Sequence, residues 1–201
     1  MGKIAVDVVL LIPDEMADRA IELNRKLAVR ASGSQIVLNK NDCLPHLSLA
    51  MGCMEQAQLG EAESILRDVA KTFHPVRITA GEISGNVNSH GQVVSVLMAE
   101  KTEQLQELHE MVMRKFRSVL SYDVTVEMFA GPDDIEATTL EWVGDYPSGA
   151  AFDNFSPHIT IGYGGLSVQS ISLMGGAAEL AICHLGNHCT CRKVLKKVRF
   201  S

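Results

Sequence analysis

One pattern occurs twice in this chain: "PHLSLAMG" at 45–52 and "PHITIGYG" at 157–164. Each copy reads Pro-His-apolar-hydroxyl-apolar, then two residues, then Gly. In a strand, residues i and i+2 share a face. His46 and Ser48 therefore point one way while Leu47 and Leu49 anchor the other. His158 and Thr160 share a face in the same manner, backed by Ile159 and Ile161. Pro45 and Pro157 suit a strand's first residue. Gly52, Gly162 and Gly164 would let backbone or ligand approach closely. The two histidines lie more than half the chain apart, so only the fold can bring them together.

The order of elements around the motifs suggests that it does. "IAVDVVLLI" (4–12) reads as a strand, ended by Pro13 with Asp14 as a helix cap. Helical spacing of Met16, Ala20, Ile21, Leu23 and Leu27 predicts a helix over 14–29. "SQIVLNKNDCLPHLSLAMG" returns to strand character and carries the first motif. An amphipathic helix follows at 58–73, then a hairpin of strands 76–84 and 92–99 around a Gly/Asn/Ser turn. Leu105, Leu108, Met111, Val112, Phe116 and Leu120 share one face of a helix over 102–120. The segment 121–156 has few regular signals and holds the only Trp, Trp142, with Tyr146, Phe152 and Phe155. Long irregular segments are often functional, so its aromatics are candidates to stack on a base or to cover a core edge. "GGLSVQSISLMGGAAEL" is a weak helix candidate, and the chain ends as strand, turn, strand. Each half places its motif on the strand after a helix. Such an internal repeat packs about an approximate twofold axis and turns the two motif strands toward each other.

Composition narrows the class. The chain has 201 residues, 46% apolar and 21% charged, as expected of a globular fold. No apolar run is long enough to span a membrane, and the N-terminal run contains Asp7 and lacks a cleavage site. A cytoplasmic monomer without a membrane partner is expected. Net charge is −6, which argues against gripping a long duplex. The one basic run, Arg192 to Arg199, fits either contact with a small anion or RNA end, or a solvated edge strand. Five cysteines at 43, 53, 183, 189 and 191 do not form a disulfide framework and are expected to be small buried apolar residues. "HLGNHCTC" makes a zinc site conceivable, but the usual C-x-x-C pair is missing. Alternation there would send His188 and Thr190 one way, Cys189 and Cys191 the other.

Two imidazoles and two hydroxyls around one pocket suit a phosphodiester. A neutral histidine can take a proton from the attacking group while an imidazolium gives one to the leaving oxygen. A reference pKa of about 6.5 lets both forms coexist near neutrality. The hydroxyls can donate to non-bridging oxygens as charge shifts. No Asp/Glu cluster accompanies either motif, so no metal and no cofactor is expected. Cys43 lacks a nucleophile's motif. His74, at a helix end, is a candidate carbonyl cap; His90 sits in a turn, His109 on a helix's polar side, and His184 and His188 on strands that could reach the cleft.

Paired H-Φ-[ST]-Φ motifs (Φ apolar), one per half-chain, resemble the two-histidine (2H) phosphoesterase superfamily. Its members include LigT-like 2′-5′ RNA ligases and cyclic nucleotide phosphodiesterases. The resemblance covers most of the chain and implies an α+β, bilobal fold. Two antiparallel sheets would line a central cleft, with helices outside and a pseudo-twofold internal repeat. It implies residues 1–201 as a single bilobal domain with 121–156 as an inserted or lid-like segment. It implies metal-independent opening of 2′,3′-cyclic phosphates of nucleotides or RNA ends, leaving a 2′-phosphate. His46 and His158 would be catalytic, and Ser48, Thr160 and Tyr163 would bind substrate. Alternatives are a 2′-5′ RNA ligase or esterase, and a non-catalytic binder of nucleotides or RNA ends. The spacing between motifs exceeds that of compact members, and the weak helix after the second motif is a further departure.

Overall fold

A computed structural model describes residues 2–28, 36–88, 90–131, 134–166 and 171–201. The first half begins with β1 (Lys3–Leu11), α1 (Asp14–Ala28) and β2 (His46–Glu55). Then come α2 (Leu59–Thr72), β3 (Val76–Val87), β4 (Val93–Ala99) and α3 (Glu103–Phe116). Two short helices, α4 (Ala137–Gly144) and α5 (Tyr146–Gly149), precede β5 (His158–Tyr163). The chain closes with β6 (Leu173–Ala177), β7 (Glu179–Gly186) and β8 (Thr190–Arg199).

The strands form two four-stranded antiparallel sheets, ordered β2-β1-β7-β8 and β5-β4-β3-β6. The orders correspond position by position. Each motif strand lies at a sheet edge and pairs with the strand that precedes it through a helix, β1 for β2 and β4 for β5. The connecting helices are exchanged between the halves. α1 leaves the first sheet to pack on β5 and β6 of the second, and α3 leaves the second to pack on β2 of the first. Helix burial locks this exchange. Met16, Ala20, Ile21, Leu23 and Leu27 of α1 are buried, as are Leu105, Leu108, Val112 and Phe116 of α3. Each large apolar side chain so buried contributes about 1.5–3 kcal/mol. Thr102 caps α3, accepting from the Leu105 N–H at 3.2 Å.

Three expectations change. The region 173–177 is not helical: β6 is an edge strand beside β3, with Gly175 and Gly176 poor helix formers; residues 167–170 of that stretch, and the end of the first helix beyond Ala28, lie outside the described residues. Cys183 and Cys191 are disulfide-bonded, with Cα atoms 5.5 Å apart. A tight β7–β8 turn brings together cysteines that spacing alone does not pair. His109 does not face solvent; it is fully buried on α3.

The basic run forms β8, an edge strand. Lys196 pairs with Glu63 at 2.5 Å, and Lys197 and Arg199 with Glu179 at 3.3 and 3.1 Å. Much of its charge is therefore met within the protein, which favours the edge-strand reading. Among the described residues, no helix is long and apolar enough to cross a membrane.

Candidate active site

The pleat carries the expected pattern into a cleft between the sheets. Leu47, Leu49, Ile159 and Ile161 are fully buried. His46, Ser48, His158 and Thr160 all line one cavity of about 320 Å³. Its walls also include Asn86, Val94, Trp142, Tyr146, Phe155 and His188. The fold thus joins the two motifs, and Tyr163 reaches the same cavity.

Both catalytic candidates are held alike. His46 Nδ1 lies 2.7 Å from the Leu44 carbonyl, and His158 Nδ1 lies 2.8 Å from the Ser156 carbonyl. A carbonyl oxygen only accepts, so each Nδ1 carries a proton. That fixes the tautomer and leaves Nε2 as the exchanging nitrogen. Nearby, β5 bulges where Gly162 adopts φ +147°. A Cβ there would come within 3.0 Å of Asn24 Nδ2. Asn24 donates to the Ile36 and Ile161 carbonyls at 2.7 Å each and accepts from the Leu38 N–H at 3.0 Å. This buried amide ties α1 to the second motif strand.

The surroundings of the two histidines differ. Asp7, fully buried in the middle of β1, accepts a 2.6 Å hydrogen bond from Ser48 through Oδ2. The same oxygen lies 3.5 Å from His46 Nε2. Burial works against the His46 imidazolium, but the Asp7 hydrogen bond and charge outweigh it and the ring titrates above its ordinary value. Among the described residues, no carboxylate pairs with His158 in this way. Burial pulls it below its ordinary value, and the nearby His46 charge adds to the fall despite the Ser156 carbonyl. Burial also raises the Asp7 carboxyl, with His46 and Ser48 pulling it back.

From Thr138 onward, the segment before the second motif forms part of the cleft wall. Trp142 on α4 lines the cavity with 48% of its surface exposed. Phe155 stacks on His109, ring centroids 3.9 Å apart and nearly parallel. His109 Nδ1 lies 2.8 Å from the Leu49 carbonyl on β2, and its Nε2 accepts from the Phe152 N–H at 2.8 Å. Burial pulls this ring down to about 4, so it is neutral near pH 7. A neutral ring is required, since an imidazolium could not accept from Phe152.

The β7–β8 turn breaks strand alternation. His188 and Cys189 take φ 58° and 54°, so both side chains line the cavity instead of opposite faces. Tyr163 Oη lies 2.9 Å from His188 Nδ1. Asn187 Oδ1 accepts from Glu136 N–H, Thr139 Oγ1–H and His188 N–H, pinning α4 to this turn. His184 reaches the Met128 carbonyl, and His74 the Ser201 carbonyl. Burial pushes the Cys43 thiol up to about 11, leaving little thiolate. Among the described residues, no group of three or more His, Cys, Asp and Glu is arranged to hold a metal ion. Sequence reasoning missed Asp7 and His109. The signal for Asp7 was present: a lone carboxylate within an otherwise apolar strand.

Two edge strands presenting paired H-x-[ST] motifs to one cleft define a two-histidine phosphoesterase arrangement. The chain belongs to the 2′-5′ RNA ligase superfamily, whose profile matches residues 28–178. No curated protein matches the sequence. Solved structures share the fold at low identity. TT0787 of Thermus thermophilus aligns over 98% of each chain at 16% identity and TM-score 0.63. E. coli LigT complexed with NADP+ aligns over 100% of this chain and 99% of its own, at 15% identity and TM-score 0.58. E. coli LigT complexed with 3′-AMP covers the same shares at 13% identity and TM-score 0.52.

Proposed function

We propose that this protein opens 2′,3′-cyclic phosphates of nucleotides or RNA ends, with His46 and His158 as a general acid–base pair that needs no metal. One observation carries the reading: two tautomer-fixed imidazoles from distant halves line the same cavity. Water attacks phosphorus as one Nε2 takes its proton, and the other Nε2 protonates the leaving ribose oxygen. A new P–O bond forms, one ring P–O bond breaks, and the product is a 2′-phosphomonoester. The Thr160 hydroxyl donates to a non-bridging oxygen as charge develops. Trp142, half exposed at the cavity wall, offers a stacking surface for the base. Family membership supports phosphoester chemistry, and LigT complexes with 3′-AMP and with ATP support a nucleotide-sized ligand.

The test is a substrate screen with EDTA present. The panel holds 2′,3′-cyclic mononucleotides, 2′-5′ linked dinucleotides and ADP-ribose cyclic phosphate, with products separated chromatographically. Conversion of a cyclic mononucleotide to its 2′-phosphate is expected. Turnover of the 2′-5′ linkage alone would replace this reading with an esterase or ligase. Binding without turnover of any compound would replace it with a non-catalytic nucleotide binder.

A further inference from the structure

The two half-sites match in sequence but not in what lies beneath them. Under His46 sits Asp7, sealed from solvent on the cleft side of β1. Its Oδ2 takes the Ser48 proton at 2.6 Å and stands 3.5 Å from His46 Nε2. Its Oδ1 is buried with no hydrogen-bond partner among the described residues. A carboxylate so enclosed is costly to keep charged without a cation beside it. His46 is the ring placed to serve. No carboxylate is among the groups that shift His158, which are burial, the Ser156 carbonyl and the His46 charge.

We propose that Asp7 is a positioning residue that makes the pair unequal, reserving His46 to give a proton to the leaving oxygen and His158 to take one from the attacking water. In the resting protein His46 is the imidazolium, its charge balanced by Asp7, and His158 is neutral with its Nε2 lone pair toward the cavity. During ring opening the water proton passes to His158 Nε2 and the His46 Nε2 proton passes to the departing 3′ oxygen. Exchange with solvent then restores both. The Ser48 hydroxyl, committed to Asp7, is not the phosphate's donor, and that role falls to Thr160. Among the described residues lining the same spaces, no second carboxylate stands beside His46. His158 of β5, Tyr146 of α5, His188 and Cys189 of the β7–β8 turn, and Cys43 before β2, its thiol pushed up to about 11, share those linings. Burial and the Asp7 charge push the Tyr146 hydroxyl and the Cys189 thiol upward, so both stay neutral near pH 7.

The assignment of acid and base rests on the cyclic-phosphate reading, but the unequal titration does not require any substrate. The experiment is an NMR titration of the His46 and His158 ring protons in the full-length protein. In the wild type, His46 is expected to titrate above the ordinary histidine value and His158 below it. Coincident or reversed midpoints would overturn the proposal without any variant. In Asp7→Asn the His46 midpoint is expected to fall by a pH unit or more. The His158 midpoint should rise, because the neighbouring positive charge is lost. A role confined to packing would not move the two in opposite directions. Asp7→Leu suits the apolar strand and is the second variant, with the same result expected. Unmoved midpoints in a folded variant would overturn the proposal. If the screen shows no cyclic-phosphate hydrolysis while the titrations behave as stated, the chemistry fails and the Asp7 coupling stands.

Discussion

Protonating His109 should loosen the cleft wall from the motif strand, and the size of the loss follows from its titration. Its folded value is about 4, against about 6.5 in an unfolded chain. Between those values the unfolded state binds a proton that the folded state refuses. Stability therefore rises with pH across that window and is lost as pH falls through it. Integrating from pH 7 to pH 5 gives a loss of about 2 kcal/mol from this one ring. At about 2–4 °C per kcal/mol for a chain of this size, Tm should drop about 4–8 °C. Other groups titrate as well, so the comparison is with His109→Gln, which cannot take up the proton. The variant should be less stable at pH 7, having lost the stack on Phe155 and the paired bonds to Leu49 and Phe152. Its deficit relative to wild type should shrink by about 2 kcal/mol by pH 5. Thermal unfolding followed by circular dichroism at half-unit pH steps reads this directly. Parallel Tm–pH curves for the two proteins would refute the reasoning.

Three further outcomes follow from the same contacts. Asn24→Leu strands the Ile36 and Ile161 carbonyls and the Leu38 N–H. At about 1–3 kcal/mol per stranded buried group, partly relieved by relaxation, Tm should fall by roughly 10 °C; a fall under about 2 °C, less than one such group is worth, counts against the hub. Trp142→Ala should raise KM for a cyclic mononucleotide about 5- to 150-fold, from about 1–3 kcal/mol of stacking, with little change in kcat; an unchanged KM removes Trp142 from the site. Thr160→Val should lower kcat about 100-fold by deleting a transition-state donor, and Ser48→Ala should cost clearly less; equal losses would argue that both hydroxyls touch the phosphate.

Much of the fold was legible because its determinants are periodic. Alternation in the two motifs, and the apolar stripes of α1 and α3, each specify a buried face. The repeat of strand, helix and motif strand implied the facing arrangement. The exchange of α1 and α3 between sheets was not legible, because packing partners are set by tertiary geometry and not by a helix's own pattern. At the β7–β8 turn, left-handed His188 and Cys189 defeat alternation, and of the two only histidine is a type enriched at positive φ. The Cys183–Cys191 pairing depends on that turn. His109 looked polar by residue type alone, although its spacing, four after Leu105 and three before Val112, sets it on the helix's apolar stripe; the Leu49 carbonyl and Phe152 N–H, from elsewhere in the chain, make its burial tolerable. Asp7 was visible as a charge in an apolar strand, but its partners Ser48 and His46 come from a neighbouring strand some forty residues on.

The central claim is that both imidazoles act on one phosphorus centre. The direct measurement is the single-turnover rate of 2′,3′-cyclic nucleotide opening, with EDTA, for wild type, His46→Ala, His158→Ala and the double variant. Each single change should slow the reaction by about 10²–10⁴-fold with melting transitions retained, and the double variant should be little slower than either, as expected of groups that act as a unit. Near-wild-type opening by either folded single variant would contradict the account.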